Sequence, residues 1–264
     1  MYSYPRGKFV GTINAAGGGG LCADRLGNVY IPGYIAGSGP VVYEFAHGGK
    51  HPIATLVVPG YFAGSCSANP MTGNLAVNFL CRSSGSSCGG ENGLAVYANA
   101  SGTPTIYQAA TGEVFDYCGY DSGGNLFVDG EGGRHDLDFS ELPEGNSSLI
   151  DISIDQSIGN PGQVQWDGSY ITIQDEAVPG SIYRLEVSGS VATVVGVTEL
   201  EGITGFSGQS WIQASTIIVG SKPRGQNSNI RFWRYPGGGK AYKRIEGFRR
   251  GAIIGAVTVS LAKH

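Results

Sequence analysis

The chain is predicted to be an all-β six-bladed β-propeller of four-stranded antiparallel blades, its ring closed by N- and C-terminal strands that share the sixth blade. Three observations predict it. A hairpin signal returns five times at near-constant spacing, a second and more aromatic hairpin lies between successive copies, and the two ends of the chain are incomplete fragments of the same repeat. Repeats of 20–50 residues are the mark of arrays and propellers, and they take precedence over any local reading.

The recurring signal is Gly-Asn or a close relative between two short strand-like runs: Gly27-Asn28, Gly73-Asn74, Gly124-Asn125, Gly168-Ser169 and Ser215-Thr216. The second positions, 28, 74, 125, 169 and 216, are separated by 46, 51, 44 and 47 residues. A run of small residues precedes each turn, as in Leu21-Cys22-Ala23-Asp24, and a more apolar run follows, as in Val29-Tyr30-Ile31. Dipeptides of this kind between apolar runs are tight hairpin turns. The intervening hairpins turn at His47-Gly48-Gly49-Lys50, Asn99-Ala100-Ser101-Gly102, Pro143-Glu144-Gly145-Asn146, Val187-Ser188-Gly189-Ser190 and Pro236-Gly237-Gly238-Gly239. Their flanks are rich in β-branched and aromatic residues, as suits outer strands. Two hairpins per repeat make one four-stranded blade.

These units place blades at about 19–58, 62–109, 115–155, 162–200 and 206–248 within a single domain spanning 1–264. Residues 2–13 read as an outer hairpin, with Tyr4-Pro5-Arg6-Gly7 matching Tyr235-Pro236-Gly237-Gly238, and residues 250–262 read as inner strands. Joined, the two ends make the sixth blade and remove the open edge of an unclosed ring.

Composition agrees. Asp, Glu, Lys and Arg make up 14% of residues against a usual value of about 25%, and the 45 glycines suit a chain of many turns. The net charge of −4 argues against nucleic acid as a partner, since that needs a basic surface to replace phosphate counterions. No run of eighteen apolar residues occurs, so no helical membrane span is predicted. Met1-Tyr2-Ser3-Tyr4-Pro5 lacks the basic and apolar run of a secretory signal, so export requires such a segment to have been removed.

Gly20-Leu21-Cys22-Ala23-Asp24-Arg25-Leu26-Gly27-Asn28-Val29-Tyr30-Ile31 resembles the NHL repeat, in which Gly-Ile-Ala-Val-Asp precedes Gly-Asn-Val-Tyr-Val. The match is partial around 69–77 and 121–128 and weak in the last two blades. The resemblance implies a propeller of the NHL or TolB-like type. It carries no single activity, because such rings serve as scaffolds, sensors, lactonases and lyases.

Cys81 and Cys88 bracket Arg-Ser-Ser-Gly-Ser-Ser, a polar segment that a disulfide would staple, and this predicts an oxidising location: secreted, periplasmic or cell-surface. Cys22, Cys66 and Cys118 take equivalent places on three inner strands and are expected to be reduced, buried packing residues.

Turns within hairpins are short, whereas the links between hairpins and between blades are long, at 33–40, 78–92, 129–138, 174–181 and 220–229. Long loops on a rigid frame concentrate binding residues. The candidate ligand-binding set on that face is Tyr34, Tyr61, Phe62, Asp116, Tyr117, Asp129, Glu131, His135, Asp175 and Glu176. Aromatics offer contact area, and carboxylates accept hydrogen bonds from sugar hydroxyls or cations. No cofactor is called for, although the carboxylates are hard oxygen donors of the kind Ca²⁺ takes at a channel mouth. The sequence has no Gly-x-Ser-x-Gly elbow, P-loop or HExxH helix, and no catalytic residue is assigned. The expected function is therefore an extracytoplasmic, non-catalytic binding module for a glycan, peptide or protein. The alternatives are a metal-dependent lactonase, lyase or hydrolase with its site at the channel mouth, and a structural subunit of a surface assembly.

Overall fold

The computed structural model describes residues 1–262 apart from 16, 18, 82–90, 110–112, 133–136, 177–179, 204–205 and 223–225. The first sheet holds β1 (Cys22–Ala23), β2 (Val29–Ile35), β3 (Gly39–Phe45) and β4 (Ala54–Val57) in chain order. The second holds β5 (Phe62–Ala68), β6 (Leu75–Leu80), β7 (Gly93–Tyr97) and β8 (Thr105–Gln108), and the third β9 (Val114–Tyr120), β10 (Leu126–Glu131), β11 (Leu137–Leu142) and β12 (Ile150–Asp151). A short β13 (Ser153–Ile154) precedes the fourth sheet of β14 (Val164–Trp166), β15 (Ile171–Asp175), β16 (Ser181–Ser188) and β17 (Val191–Glu201). The fifth holds β18 (Phe206–Gln213), β19 (Thr216–Lys222), β20 (Asn229–Arg234) and β21 (Gly238–Ile245). Within each sheet, consecutive strands pair antiparallel.

The repeated turn signal has a physical cause. In four of the five inner hairpins an Asp or Asn side chain accepts backbone N–H groups ahead of it. Asp24 Oδ1 takes Leu26 and Asn28, Asn69 Oδ1 takes Met71 and Thr72, Asp121 Oδ1 takes Gly123 and Asn125, and Asp167 Oδ1 takes Ser169 and Tyr170. Such Asx turns then need a left-handed residue, which is Gly27, Gly73, Gly124 or Gly168, with φ of 84°, 75°, 91° and 104°. The fifth hairpin has a two-residue turn in which Ala214 (φ 51°) takes that conformation.

The core is divided into slabs between consecutive sheets. Strand β6 shows why its sequence is apolar on both sides: Leu75 and Val77 pack toward the first sheet with Cys22, Tyr30 and Val42, whereas Ala76 packs toward the third with Phe115, Cys118 and Leu126. Further slabs join the third sheet to the fourth through Phe127, Phe139, Val164 and Ile173, and the fourth to the fifth through Ile182, Ile217 and Trp233.

The other face of the fifth sheet is covered by the two ends of the chain. Val257 and Val259 pack on Ile218 and Phe232, with Tyr4, Ile245 and Ile254 around them. The terminal segments pair sparsely among the described residues: Tyr2 bridges Phe9 antiparallel, and Ala256 bridges Gln209 in parallel. On the far side, Ser260 Oγ donates to the Gly27 carbonyl and lies 2.7 Å from His47 Nδ1 of the first sheet. The ends thus sit between the fifth and first sheets without forming a four-stranded sheet among the described residues.

The structure departs from the sequence reading in three respects. Cys22 and Cys66 form a disulfide with Cα atoms 5.6 Å apart, so they are not the reduced pair expected. Equivalent positions on adjacent inner strands face each other, which brings the two Cβ atoms within bonding reach. Among the described residues Cys118 is the free cysteine and is buried, as expected, and Cys81 is disulfide-bonded, while its expected partner Cys88 lies outside the described residues. Several predicted long links are shorter than expected because strands continue into them: β2 runs to Ile35, β10 to Glu131, β15 to Asp175 and β19 to Lys222. Finally, Ser153–Ile154 leaves the third sheet to pair in parallel with β17, and Leu200–Glu201 of β17 pair in parallel with Gly239–Lys240, which links the fourth and fifth sheets at their outer edge. No helix among the described residues is long and apolar enough to cross a membrane.

Candidate functional site

The inner strands come closest where glycine removes side-chain bulk. A Cβ on Gly20 would stand 2.6 Å from Gln209 Oε1, and one on Gly208 would stand 2.4 Å from the Gly255 carbonyl oxygen. Around this convergence lies a cavity of about 260 Å³, whose walls include Phe62, Asn78, Phe79, Phe115, Asp116 and Tyr117. Phe62 opens β5, Asp116 and Tyr117 lie near the start of β9, and Asn78 and Phe79 lie near the end of β6. The cavity therefore opens on the face of the long links.

Carboxylates gather beside it. Tyr117 Oη donates to Glu176 Oε1 at 3.0 Å, joining the third sheet to the residue that follows β15. Burial pushes the Asp116 carboxyl up to about 6, and the nearby Glu131 and Glu176 charges add to the effect. Glu176 is also raised by burial, against the opposing hydrogen bond from Tyr117. Asp129 is fully buried, and burial together with Asp116 holds it well above the usual carboxylate range despite two amide hydrogen bonds.

Those two bonds give Asp129 a structural task. Its Oδ1 accepts the Tyr117 N–H at 2.9 Å and its Oδ2 the Gly162 N–H at 3.0 Å, fixing the cavity wall to the start of the fourth sheet. Asp175 is buried likewise and accepts the N–H groups of Gly159 and Asn160. Both carboxylates hold backbone amides. Of the other sequence candidates, Phe62, Asp116 and Tyr117 line the cavity, Glu131 and Glu176 act on Asp116 electrostatically, and Tyr61 stands exposed next to Phe62. Tyr34, 51% exposed near the end of β2, lies outside the cavity wall, and His135 lies outside the described residues.

No protein-family model matches the chain, and no curated protein matches it in sequence. Among solved structures it is similar to a chain of the crystal structure of the nidogen/laminin complex, with a TM-score of 0.67 over 93% of this chain and 85% of that one, at 13% identity. The fold is a β-propeller. At that identity the likeness concerns the frame, so the site rests on this chain's own residues.

Sequence reasoning missed Asn78, Phe79, Phe115 and Gln209, all of which line the cavity. Asn78 had a readable signal, as the polar residue inside the apolar run Leu75-Ala76-Val77-Asn78-Phe79-Leu80. A second pocket of about 540 Å³ runs beside β11, and none of the predicted site residues line it. Among the described residues, no group of three or more His, Cys, Asp or Glu is arranged to hold a metal ion.

The raised carboxyls have a consequence for stability. An acid whose folded pKa exceeds its unfolded value stabilises fully below the unfolded value, and this contribution is lost as pH rises through the folded one. For Asp116 the window runs from about 4 to about 6. Discounted for partial solvent contact, the loss is about 1–2 kcal/mol, with Asp129 and Glu176 acting in the same direction. Urea unfolding is therefore expected to show a more stable protein at pH 4.5 than at pH 7, with the slope reduced in Asp116→Asn. A variant whose slope equals that of the parent would count against Asp116 as the titrating group.

Proposed function

We propose that the protein is a non-catalytic binding propeller acting outside the cytoplasm, which takes a glycan, peptide or protein ligand at the axial cavity of its long-link face. The observation that carries this reading is convergence. Phe62 from the second sheet, Asp116 and Tyr117 from the third and Gln209 from the fifth line one cavity, and Glu176 of the fourth stands beside it, bonded to Tyr117 Oη. A rigid frame that presents such groups ready-placed avoids much of the ordering cost of binding. The similar chain comes from a structure of a protein complex, which agrees with a recognition role. The Cys22–Cys66 disulfide supports an oxidising compartment. We read the chain ends, packed against the fifth sheet and bonded to the first, as the sixth blade of an NHL-like ring.

Screening glycan and peptide libraries provides the test. For a ligand so found, Phe62→Ala should weaken binding by about 1–3 kcal/mol, while Lys50→Ala and Asn99→Ala on the short-turn face leave it unchanged. Hydrogen exchange should show protection at the starts of β5 and β9. Protection confined to the short turns would sink the assignment of the face.

A further inference from the structure

We propose that the axial cavity is a receptor for a primary ammonium group, its charge met by Asp116 with Glu176 beside it, its alkyl chain laid against Phe62 and Phe115, and one N–H taken by Asn78. This rests on the binding reading above and adds the chemistry of the ligand.

Charge supplies the first argument. The titratable groups acting on Asp116 are Glu131 at the end of β10 and Glu176 after β15; Asp129 on β10 is coupled to it in turn. Lysine, arginine and histidine are absent from the described lining of the cavity. Carboxylates crowded in this way repel one another, and a cation between them relieves the repulsion.

Asn78 supplies the second, independent of charge. It is 1% exposed and lines the cavity, yet its Nδ2 has no hydrogen-bond partner, while its Oδ1 lies 3.3 Å from Ser65 Oγ. The two ends of a side-chain amide exchange by a half-turn, so in either orientation one polar atom is left unsatisfied. Leaving such a group buried costs about 1–3 kcal/mol. Turned so that Nδ2 reaches Ser65 Oγ, Asn78 presents a carbonyl oxygen as an acceptor for an ammonium proton.

Geometry favours ammonium over guanidinium. Asp116 and Asn78 line the cavity from different sheets as separate acceptors, and Glu176, bonded to Tyr117 Oη, adds negative charge beside them. An ammonium ion offers three diverging donors, whereas guanidinium is a planar fork suited to one carboxylate lying edge-on in its plane. The cavity volume of about 260 Å³ is far above the roughly 30 Å³ that one water occupies in the liquid. That leaves room for a four-carbon chain along the phenylalanine walls.

The ammonium could belong to a free alkylamine or to a lysine side chain of a partner. Calorimetric titration with n-butylammonium chloride and with Nα-acetyl-lysine N-methylamide at pH 7.5 separates these sources, with the Nε-acetylated lysine compound as the uncharged control. Saturable one-to-one binding of either charged probe, absent for the control, is the expected result, and the tighter of the two names the source. Asp116→Asn should weaken binding at least tenfold. Moving the parent protein from pH 7.5 to pH 5 should weaken it about tenfold, because about one-tenth of an acid with a pKa near 6 remains ionised there. Equal binding of the acetylated control, no response to Asp116→Asn, or no binding of either charged probe would overturn the inference. A neutral sugar that protects the same cavity would also overturn it, yet would leave the binding reading standing.

Discussion

Replacing Cys22 and Cys66 together by alanine is expected to lower the unfolding free energy by about 4 kcal/mol. The bond joins residues 44 apart in sequence, and closing a loop of that length removes about this much free energy from the unfolded ensemble in the chain-entropy account. For a chain of this size the melting temperature should fall by roughly 10 °C. Equilibrium urea unfolding gives the energy, and thiol titration of the denatured, unreduced protein tests the premise by finding one free group, Cys118. Finding three would mean that the inner strands of the first two sheets are not joined. A Cys118→Ala control removes only a small buried side chain, whose thiol burial pushes up to about 12, and should cost about 1 kcal/mol. Because Cys66 adjoins Ser65 in the cavity wall, the double variant should also bind its ligand more weakly.

The bond shows what was legible in the sequence and what was not. Equivalence of Cys22, Cys66 and Cys118 across repeats is plain in the sequence, but residue by residue it gives only three small packing positions. In a ring, equivalent residues of adjacent repeats are neighbours in space, so the same observation held the pairing. The turns were legible because Asx chemistry is local: Asp24 and Gly27 determine one another over four residues. The acidic mouth was legible in part. Asp116, Tyr117 and Glu176 flank strand ends, which a sequence shows, whereas Asp129 and Asp175 look the same in sequence yet accept backbone amides, Asp129 from Gly162 downstream and Asp175 from Gly159 and Asn160 upstream. Such pairings depend on residues 30 or more positions away in the case of Gly162, and no short pattern records them. Asn78 escaped because its significance lies in what its amide lacks.

The contacts between inner strands were invisible for the same reason, and they point to the residue that closes the ring. Three glutamines each use both ends of the side-chain amide on the backbone of another inner strand. Gln165 bonds the N–H and carbonyl of Ile212, Gln174 the Gly208 carbonyl and Ser210 N–H, and Gln209 the N–H and carbonyl of Leu21 at 2.7 and 2.8 Å. The first two join the fourth sheet to the fifth, which the chain already connects. Gln209 joins the fifth sheet to the first, between which no such connection exists. Its own N–H also donates to the Gly255 carbonyl at 2.9 Å, so one buried residue grips the first sheet and the C-terminal segment together. Gln209→Leu keeps the bulk but strands two backbone groups of Leu21, and should cost about 2–3 kcal/mol in urea unfolding. The effect should also be directional. Hydrogen exchange is expected to quicken at residues 20–22 and 252–260, at the two margins of the closure, while the pairings between the second, third and fourth sheets keep their protection. In Gln165→Leu, with a comparable loss of hydrogen bonds, faster exchange should centre on β14 and β18. If both variants loosened the same region, or if Gln209→Leu matched the parent within about 0.5 kcal/mol, the closure would rest instead on the packing of Val257 and Val259 and on the Ser260 bonds to Gly27 and His47.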